Sequence, residues 1–314
     1  MFFLVSKIKK LLSCDESFIL DGMHTFLDTV PPQKSCALVV DLQVIQKNYQ
    51  ALQGFVRDGA LCAAVLKADA YGLGQDAVGK ALYDVGCRDF FFAYVDEAIQ
   101  ARQTHRDDKL NIYVFNGVFP GTEQTLLKHN LIPCLISFEQ IERWSSFAQQ
   151  QNKKLPCLLH VDTGMGREGI SQQELKSIAA GSLLDSLDLR YIMSHMANSN
   201  NSGATKNKVQ LERFLEAKAL VPHTKASLAT FANSSGMTLG ENYQFDLVRP
   251  GMALYGYKNE SYGTLLDLKP CLKAFARIIL TRKVLKGESL GYNCTHICEC
   301  DTKVALVAVG HRDG

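Results

Sequence analysis

The chain has 314 residues, of which 46% are hydrophobic, and a formal net charge of +2 with acidic and basic residues interspersed. That length and apolar content suit one large α/β domain with a smaller companion. The even mixture of charge excludes the basic stripe of a nucleic-acid binder and the acidic tail of a solvating segment. No apolar run approaches the ~20 residues of a membrane span. The apolar start Met1–Val5 is interrupted at once by Lys7, Lys9 and Lys10, which leaves no export-signal core, so the expectation is a cytoplasmic protein without a membrane partner.

Residues 1–34 carry no pattern that can be placed, and Pro31-Pro32 marks a boundary ahead of the folded body. Ala37–Leu42 reads as a strand, and Leu42–Phe55 as a helix with Leu42, Ile45, Tyr49 and Leu52 at helical spacing. Strands are then expected at Ala63–Leu66, Phe90–Tyr94, Asn111–Phe115 and Leu131–Ile136, with helices at Asp76–Val85, Asp96–Arg102 and Glu123–Lys128 between them. Pro156–Val161, Leu189–Met193, Ser227–Phe231 and Phe245–Val248 continue the strand series. Alternation of this kind points to a parallel sheet, and about eight units point to a (β/α)₈ barrel of TIM type. After Leu268 the texture changes: Ala274–Val284, Glu288–Tyr292 and Lys303–Val309 are β-rich with no helices between them. The expected organisation is an extension over 1–34, a barrel over 35–267 and the start of a β-rich domain over 268–314.

The ten cysteines are scattered. Cys294, Cys298 and Cys300 are the one cluster, but their spacing lacks a C-x-x-C pair and a second half-site, so buried thiols are the better reading and no metal site is assigned. The most informative stretch is Val65-Leu66-Lys67-Ala68-Asp69-Ala70-Tyr71-Gly72-Leu73-Gly74, where an apolar run ends in a lysine and a glycine-bounded turn follows. Lys67 at a barrel mouth could present a free amine to a carbonyl beside a loop able to approach a phosphate. From these residues alone, a strand-end lysine that solvates the sheet edge is the favoured reading.

The decapeptide resembles the pyridoxal phosphate (PLP) lysine motif of bacterial alanine racemases. The resemblance runs in order from about Cys36 to Gly314 through Asp162-Thr163-Gly164-Met165-Gly166-Arg167, Ser194-His195-Met196-Ala197, Ala232-Asn233-Ser234, Val248-Arg249-Pro250-Gly251-Met252-Ala253-Leu254-Tyr255-Gly256 and Gly291-Tyr292. It implies PLP-dependent, two-base interconversion of L- and D-alanine, supplying D-alanine for peptidoglycan. Lys67 would hold the cofactor and serve as one acid/base group. Tyr71, Asn233, Ser234, Gly251 and Met252 would contact its phosphate and ring. Arg249 would face the pyridine nitrogen, Arg167 the cofactor hydroxyl and the substrate, and His195 would stand between Arg249 and Tyr292. The second base, Tyr292, would cross a homodimer interface to the substrate's other face.

Four departures from the family pattern bear on function. His160 stands where many members have a carbamylated lysine that supports the arginine matched by Arg167. Thr230 replaces a histidine that braces the ring-facing arginine, and His311 replaces a tyrosine at the substrate entrance. The chain also stops short of the family's last segment, which predicts impaired turnover. Two smaller changes, Asp69 for Asn and Leu73 for His, have no consequence legible from sequence. Rival readings are a catalytically impaired or non-catalytic PLP-binding barrel, a racemase of another amino acid, and a barrel-type decarboxylase, which would need an acid where Arg249 stands.

Overall fold

The computed structural model describes residues 33–221, 228–257, 262–263 and 265–311. The N-terminal extension up to residue 32 and the end of the chain from 312 lie outside the described residues. The chain divides into two compact units, one spanning Asp41–Cys271 and the other combining the chain up to Val40 with Leu272 onward.

The second unit begins with β1 (Cys36–Val40). The larger unit holds one parallel sheet of short strands: β2 (Leu61–Cys62), β3 (Ala64–Val65), β4 (Asp89–Phe92), β5 (Asn111–Val114), β6 (Ile132–Leu135), β7 (Leu155–His160), β8 (Leu187–Met193), β9 (Ala229–Asn233) and β10 (Leu247–Arg249). β2 and β3 are one run of chain interrupted at Ala63. β2 pairs with β10 and β3 with β4. The backbone N–H groups of Ala63 and Val65 reach Val248 and Pro250 on one side, while that of Leu66 reaches Phe91 on the other. Residues 61–65 therefore join both ends of the sheet, and it closes into an eight-stranded barrel. Between strands run α1 (Leu42–Phe55), α2 (Gln75–Asp84), α3 (Val95–Thr104), α4 (Glu123–Lys128), α5 (Phe138–Gln150), α6 (Gln172–Ala180) and α7 (Thr205–Leu220).

Local sequence explains the helix starts. Asp41 Oδ1 accepts from the Val44 N–H, Ser137 Oγ from that of Gln140, and Ser171 with Glu174 forms a reciprocal capping box. α1 buries Ile45, Tyr49 and Leu52, the stripe its spacing predicts. Side chains fill the barrel interior, among them Val65, Leu158 and Leu247. Phe91 stacks between Tyr113 and Phe115, with ring centroids 4.3 and 5.0 Å apart.

In the second unit β1 pairs antiparallel with β11 (Leu272–Ala276), Cys36 opposite Ala276 through Val40 opposite Leu272. The strand expected to open the barrel instead sits here. The strand expected over Ala274–Val284 divides at Arg277, whose backbone N–H donates to Ser35 O and whose side-chain Nε donates to Lys34 O. Beyond it β12 (Ile278–Val284) changes partner to β15 (Thr302–Val307), and β13 (Ser289–Leu290) pairs with β14 (His296–Ile297). Ile278 and Ile279 are 62% and 63% exposed. Of the clustered cysteines Cys298 is buried, but Cys294 and Cys300 are exposed, which corrects the expectation of buried thiols. Among the described residues no helix is long and apolar enough to cross a membrane.

One buried charge lies at the barrel's other end, at the start of β4. Asp89 Oδ1 accepts from Asn111 Nδ2 at 3.0 Å and Tyr113 Oη at 2.9 Å. Burial pushes its pKa up, and the two hydrogen bonds only partly oppose that. A carboxyl raised in this way binds its proton more tightly folded than unfolded, so stability should fall as pH rises above ~4 and remain lowered at neutrality. Asp89→Asn keeps an oxygen acceptor for both donors and removes the charge. It should therefore be at least as stable as wild type at pH 7, and its stability advantage over wild type in thermal melts should grow from pH 4 to 7. A difference between the two that does not change with pH would contradict this account.

Candidate functional site

Because the strands are parallel, the residues following them gather at one end of the barrel. Lys67 lies two residues past β3, Asp162 two past β7 and Ser194-His195 just past β8, while Asn233 and Arg249 end β9 and β10. The structure thus brings together at one mouth nine of the ten expected site residues. Tyr292 is the exception: it lies in the second unit, in a short turn after β13, and is 86% exposed there.

Lys67 is half-buried, its Nζ 5.9 Å from the centroid of the Phe115 ring, so the core aromatic stack ends beneath the amine. The next four residues, Ala68 to Tyr71, all adopt left-handed helical angles, with φ of 53–60° and ψ of 35–51°. For L-residues this costs roughly 1–2 kcal/mol each, and named contacts hold it. Glu97, whose other oxygen caps α3, accepts the Ala68 N–H at 2.7 Å. Ala70 N donates to Leu66 O, and both Leu73 N and Gly74 N donate to Asp69 O. Asp69 Oδ1 accepts the Gln75 N–H at 2.7 Å, which ties the turn to α2.

The turn carries Tyr71 against the β10 loop. Its ring lies 5.2 Å from that of Tyr255, and a Cβ on Gly251 would collide with its hydroxyl, so glycine permits this approach. Ser234 Oγ accepts the Gly251 N–H at 3.0 Å and the Ala253 N–H at 3.3 Å. Met252 is exposed beside them. Tyr71, Ser234 and the backbone of Gly251-Met252 make a cradle of hydroxyls and N–H groups suited to an anion. Asn233 has another role in the geometry: its Oδ1 accepts from Ser199 Oγ and the Gly236 N–H, shaping the loop that holds Ser234.

Deeper in the mouth Arg249 is 3% exposed. Its guanidinium donates to Thr230 Oγ1, to Ser194 O at 2.7 Å and to Phe231 O at 3.4 Å. Among the described residues no carboxylate pairs with it, and burial pushes its pKa down to about 10. An uncompensated buried cation is expensive, which marks a place that expects a partner from outside the chain. His160 is 4% exposed and its Nδ1 has no hydrogen-bond partner. Burial, aided by Arg249 and Arg167, lowers its pKa to about 3. Burial and Arg249 hold His195 neutral in the same way. Arg167 is exposed, its Nη2 3.5 Å from Glu168. Its loop is fixed by Asp162, which accepts the N–H groups of Gly164, Met165 and Gly166. Burial pushes the Asp162 carboxyl up, but those bonds more than offset it and leave it below the usual range.

The comparisons agree with this geometry. A family model for the alanine racemase N-terminal domain matches residues 40–259, and one for the C-terminal domain matches 271–314. The chain belongs to the alanine racemase family. It is similar to the alanine racemase of Brucella ovis, at 39% identity over 290 residues covering 88% of this chain and 72% of that protein. The Rickettsia canadensis alanine racemase is 40% identical over 280 residues, covering 89% and 76%. Among solved structures, alanine racemase from Bartonella henselae with covalently bound pyridoxal phosphate superposes with a TM-score of 0.79 at 33% identity, over 89% of this chain and 77% of that one. The chain is accordingly an isomerase by family, with racemisation of alanine as the activity its relatives are named for.

Against that family the departures acquire structural content. Thr230 braces Arg249 through its hydroxyl and donates in turn to Leu247 O at 2.6 Å. Sequence reading missed Glu97, which holds the turn after Lys67 from α3, and Phe115, which lies beneath the Lys67 amine just past β5; neither carries a motif. His311 is exposed at the end of the described residues.

His160 gives a pH test. A base whose folded pKa lies below its unfolded value leaves the folded protein with fewer protons, so stability is complete above ~6.5 and falls as pH drops toward about 3. The difference in unfolding free energy between wild type and His160→Leu should tilt by ~1.4 kcal/mol per pH unit across pH 6 to 4. A pH-independent difference in urea titrations would mean that His160 is not held neutral by the fold.

Proposed function

We propose that the chain is a PLP-dependent alanine racemase working as a homodimer, in which Lys67 and the partner subunit's Tyr292 act as the two bases. The observation that carries this reading is the buried Arg249, unpaired by any carboxylate among the described residues, at the same mouth as Lys67 and the Ser234–Gly251 cradle. The residues fit the cofactor in kind: an amine, an anion cradle that a Cβ on Gly251 would fill, and a donor-only cation for a ring nitrogen. Pyridoxal phosphate bound there supplies an electron sink that acidifies the substrate Cα–H.

Ser234 Oγ, Tyr71 Oη and the N–H groups of Gly251 and Met252 would hold the phosphate, with the Gly251 N–H shared with Ser234 Oγ. Arg249 has donors and no acceptor and keeps its proton at working pH, so the atom it faces must remain an unprotonated acceptor. That tempers the sink and favours simple proton removal and return over decarboxylation or transamination. Lys67 would carry the covalent link until the substrate amine displaces it, and its freed Nζ would then move a proton on one face of Cα. The partner's Tyr292 moves a proton at Oη on the other, which inverts the centre. An unassisted tyrosine titrates near pH ~10, so it needs a neighbouring hydrogen-bond network, and His195, held neutral, supplies an uncharged member of it. Arg167 contributes charge to the substrate carboxylate side. On this reading the enzyme is cytoplasmic and its product feeds peptidoglycan synthesis.

The test is incubation of the purified chain with PLP and L-alanine in D₂O, following loss of the α-proton by NMR and D-alanine by chiral separation. Wild type should exchange and invert, Lys67→Ala should abolish both, and Tyr292→Phe should slow inversion by about 10²- to 10⁴-fold. Mixing and re-associating the two inactive variants should restore roughly a quarter of wild-type activity, because half of the dimers then hold one intact site. PLP uptake without exchange would instead make the chain a non-catalytic cofactor-binding barrel.

A further inference from the structure

Gln210, on α7, is 0% exposed. It lies among Leu211, Phe214 and Ala217 on the buried side of that helix, where an apolar residue would pack without any polar cost. Its amide is fully engaged. Nε2 donates to Thr163 Oγ1 at 3.2 Å and to His195 O at 3.0 Å, and Oε1 accepts the Ala197 N–H at 2.8 Å. Thr163 Oγ1 is in turn 2.8 Å from Ser194 Oγ, and Ser194 O accepts from Arg249 Nη2. One turn further along α7, Arg213 Nη1 donates to Thr163 O at 3.3 Å, so two side chains of this helix grip the same residue.

Beyond the last strand pairings, these bonds join three pieces of the mouth to one another. The loop after β7 carries Arg167, the segment after β8 carries His195, and Ser194 O fixes one arm of the Arg249 guanidinium. We infer that Gln210 is a positioning residue: through a single buried amide it sets the Arg167 loop and the His195–Arg249 pair in register with each other. Its consequence for turnover rests on the function proposed above; the coupling of the two loops does not. A buried amide satisfied at both ends is suited to this because any shift of one loop breaks a bond to the other, and each broken bond leaves a buried polar group unpaired.

The test uses Gln210→Met, close in shape and unable to make these bonds, and Thr163→Val, which removes only the bridging hydroxyl. Amide hydrogen exchange in the protein without PLP should speed up by roughly tenfold or more at Ala197 and at Gly164–Gly166 together in Gln210→Met, while Ile192 in β8 stays as in wild type. Thr163→Val should loosen Gly164–Gly166 alone, and should do so even where Gln210→Met fails to fold. In the PLP-loaded protein both variants should shift the absorbance of the lysine-bound cofactor and its pH midpoint. They should lower kcat by roughly tenfold with a smaller change in KM, and the double variant should be little worse than Gln210→Met. Faster exchange at Ala197 alone, with Gly164–Gly166 and the spectrum unchanged, would reduce Gln210 to a local cap and overturn the inference. Additive effects of the two substitutions would overturn it as well. Failure of wild type to take up PLP would sink the proposed function, and the exchange data would still decide the coupling.

Discussion

The arrangement of the mouth depends on the left-handed turn that follows Lys67. Four consecutive L-residues at positive φ are costly, and the structure spends contacts from three directions to keep them there: Glu97 from α3, Asp69 toward α2, and Leu66 from the barrel strand. The result is geometric. A right-handed continuation would carry Tyr71 around the other side of the chain; the left-handed one lays its ring on Gly251 and Tyr255 while Lys67 stays above Phe115. Strain of this kind persists only where the surroundings over-determine it, and it concentrates at functional sites. Lys67 is thereby presented by a rigid element, with its neighbour four residues on already placed at the anion cradle.

The electrostatics repeat that logic. Arg249 is buried with hydrogen bonds and no counter-charge, and the two imidazoles facing the same region are held neutral by burial and by that arginine. A chain optimised for stability alone would place a carboxylate there or remove the cation. The mouth is instead left electropositive and neutral-imidazole-lined, which suits a ligand bearing phosphate and carboxylate. Thr230 braces Arg249 without adding a titratable group: its hydroxyl accepts from the guanidinium and donates a hydrogen bond to Leu247 O.

Much of the fold was legible because barrels write themselves in alternation. The expected helix Leu42–Phe55 matches α1, and strand after strand falls within a few residues of its expected place. The exceptions have physical causes. β1 has the same apolar texture as a barrel strand, but pairing is a long-range property: Cys36–Val40 meets Leu272–Ala276, more than 230 residues away, and no local pattern encodes that. The break at Arg277 is likewise invisible locally, because the change of partner is imposed by Ser35 and Lys34. In the site, the motif residues could be named because chemistry restricts them. Glu97, Phe115 and Gln210 could not, because their identities matter only through what they touch.

The second unit places the remaining demand on the proposed mechanism. A two-stranded ribbon with Ile278, Ile279 and Leu306 exposed buries too little to be rigid by itself. Tyr292, on the turn after β13, inherits whatever order that ribbon has. A base acting across an interface must arrive within about 3 Å of the proton it moves, and an exposed tyrosine on a thin sheet achieves this only when the sheet's apolar faces are covered. On the proposed two-base mechanism, whatever covers those apolar residues would also order Tyr292. Weakening that surface should therefore cost inversion before it costs cofactor binding, since every residue of the anion cradle belongs to the barrel.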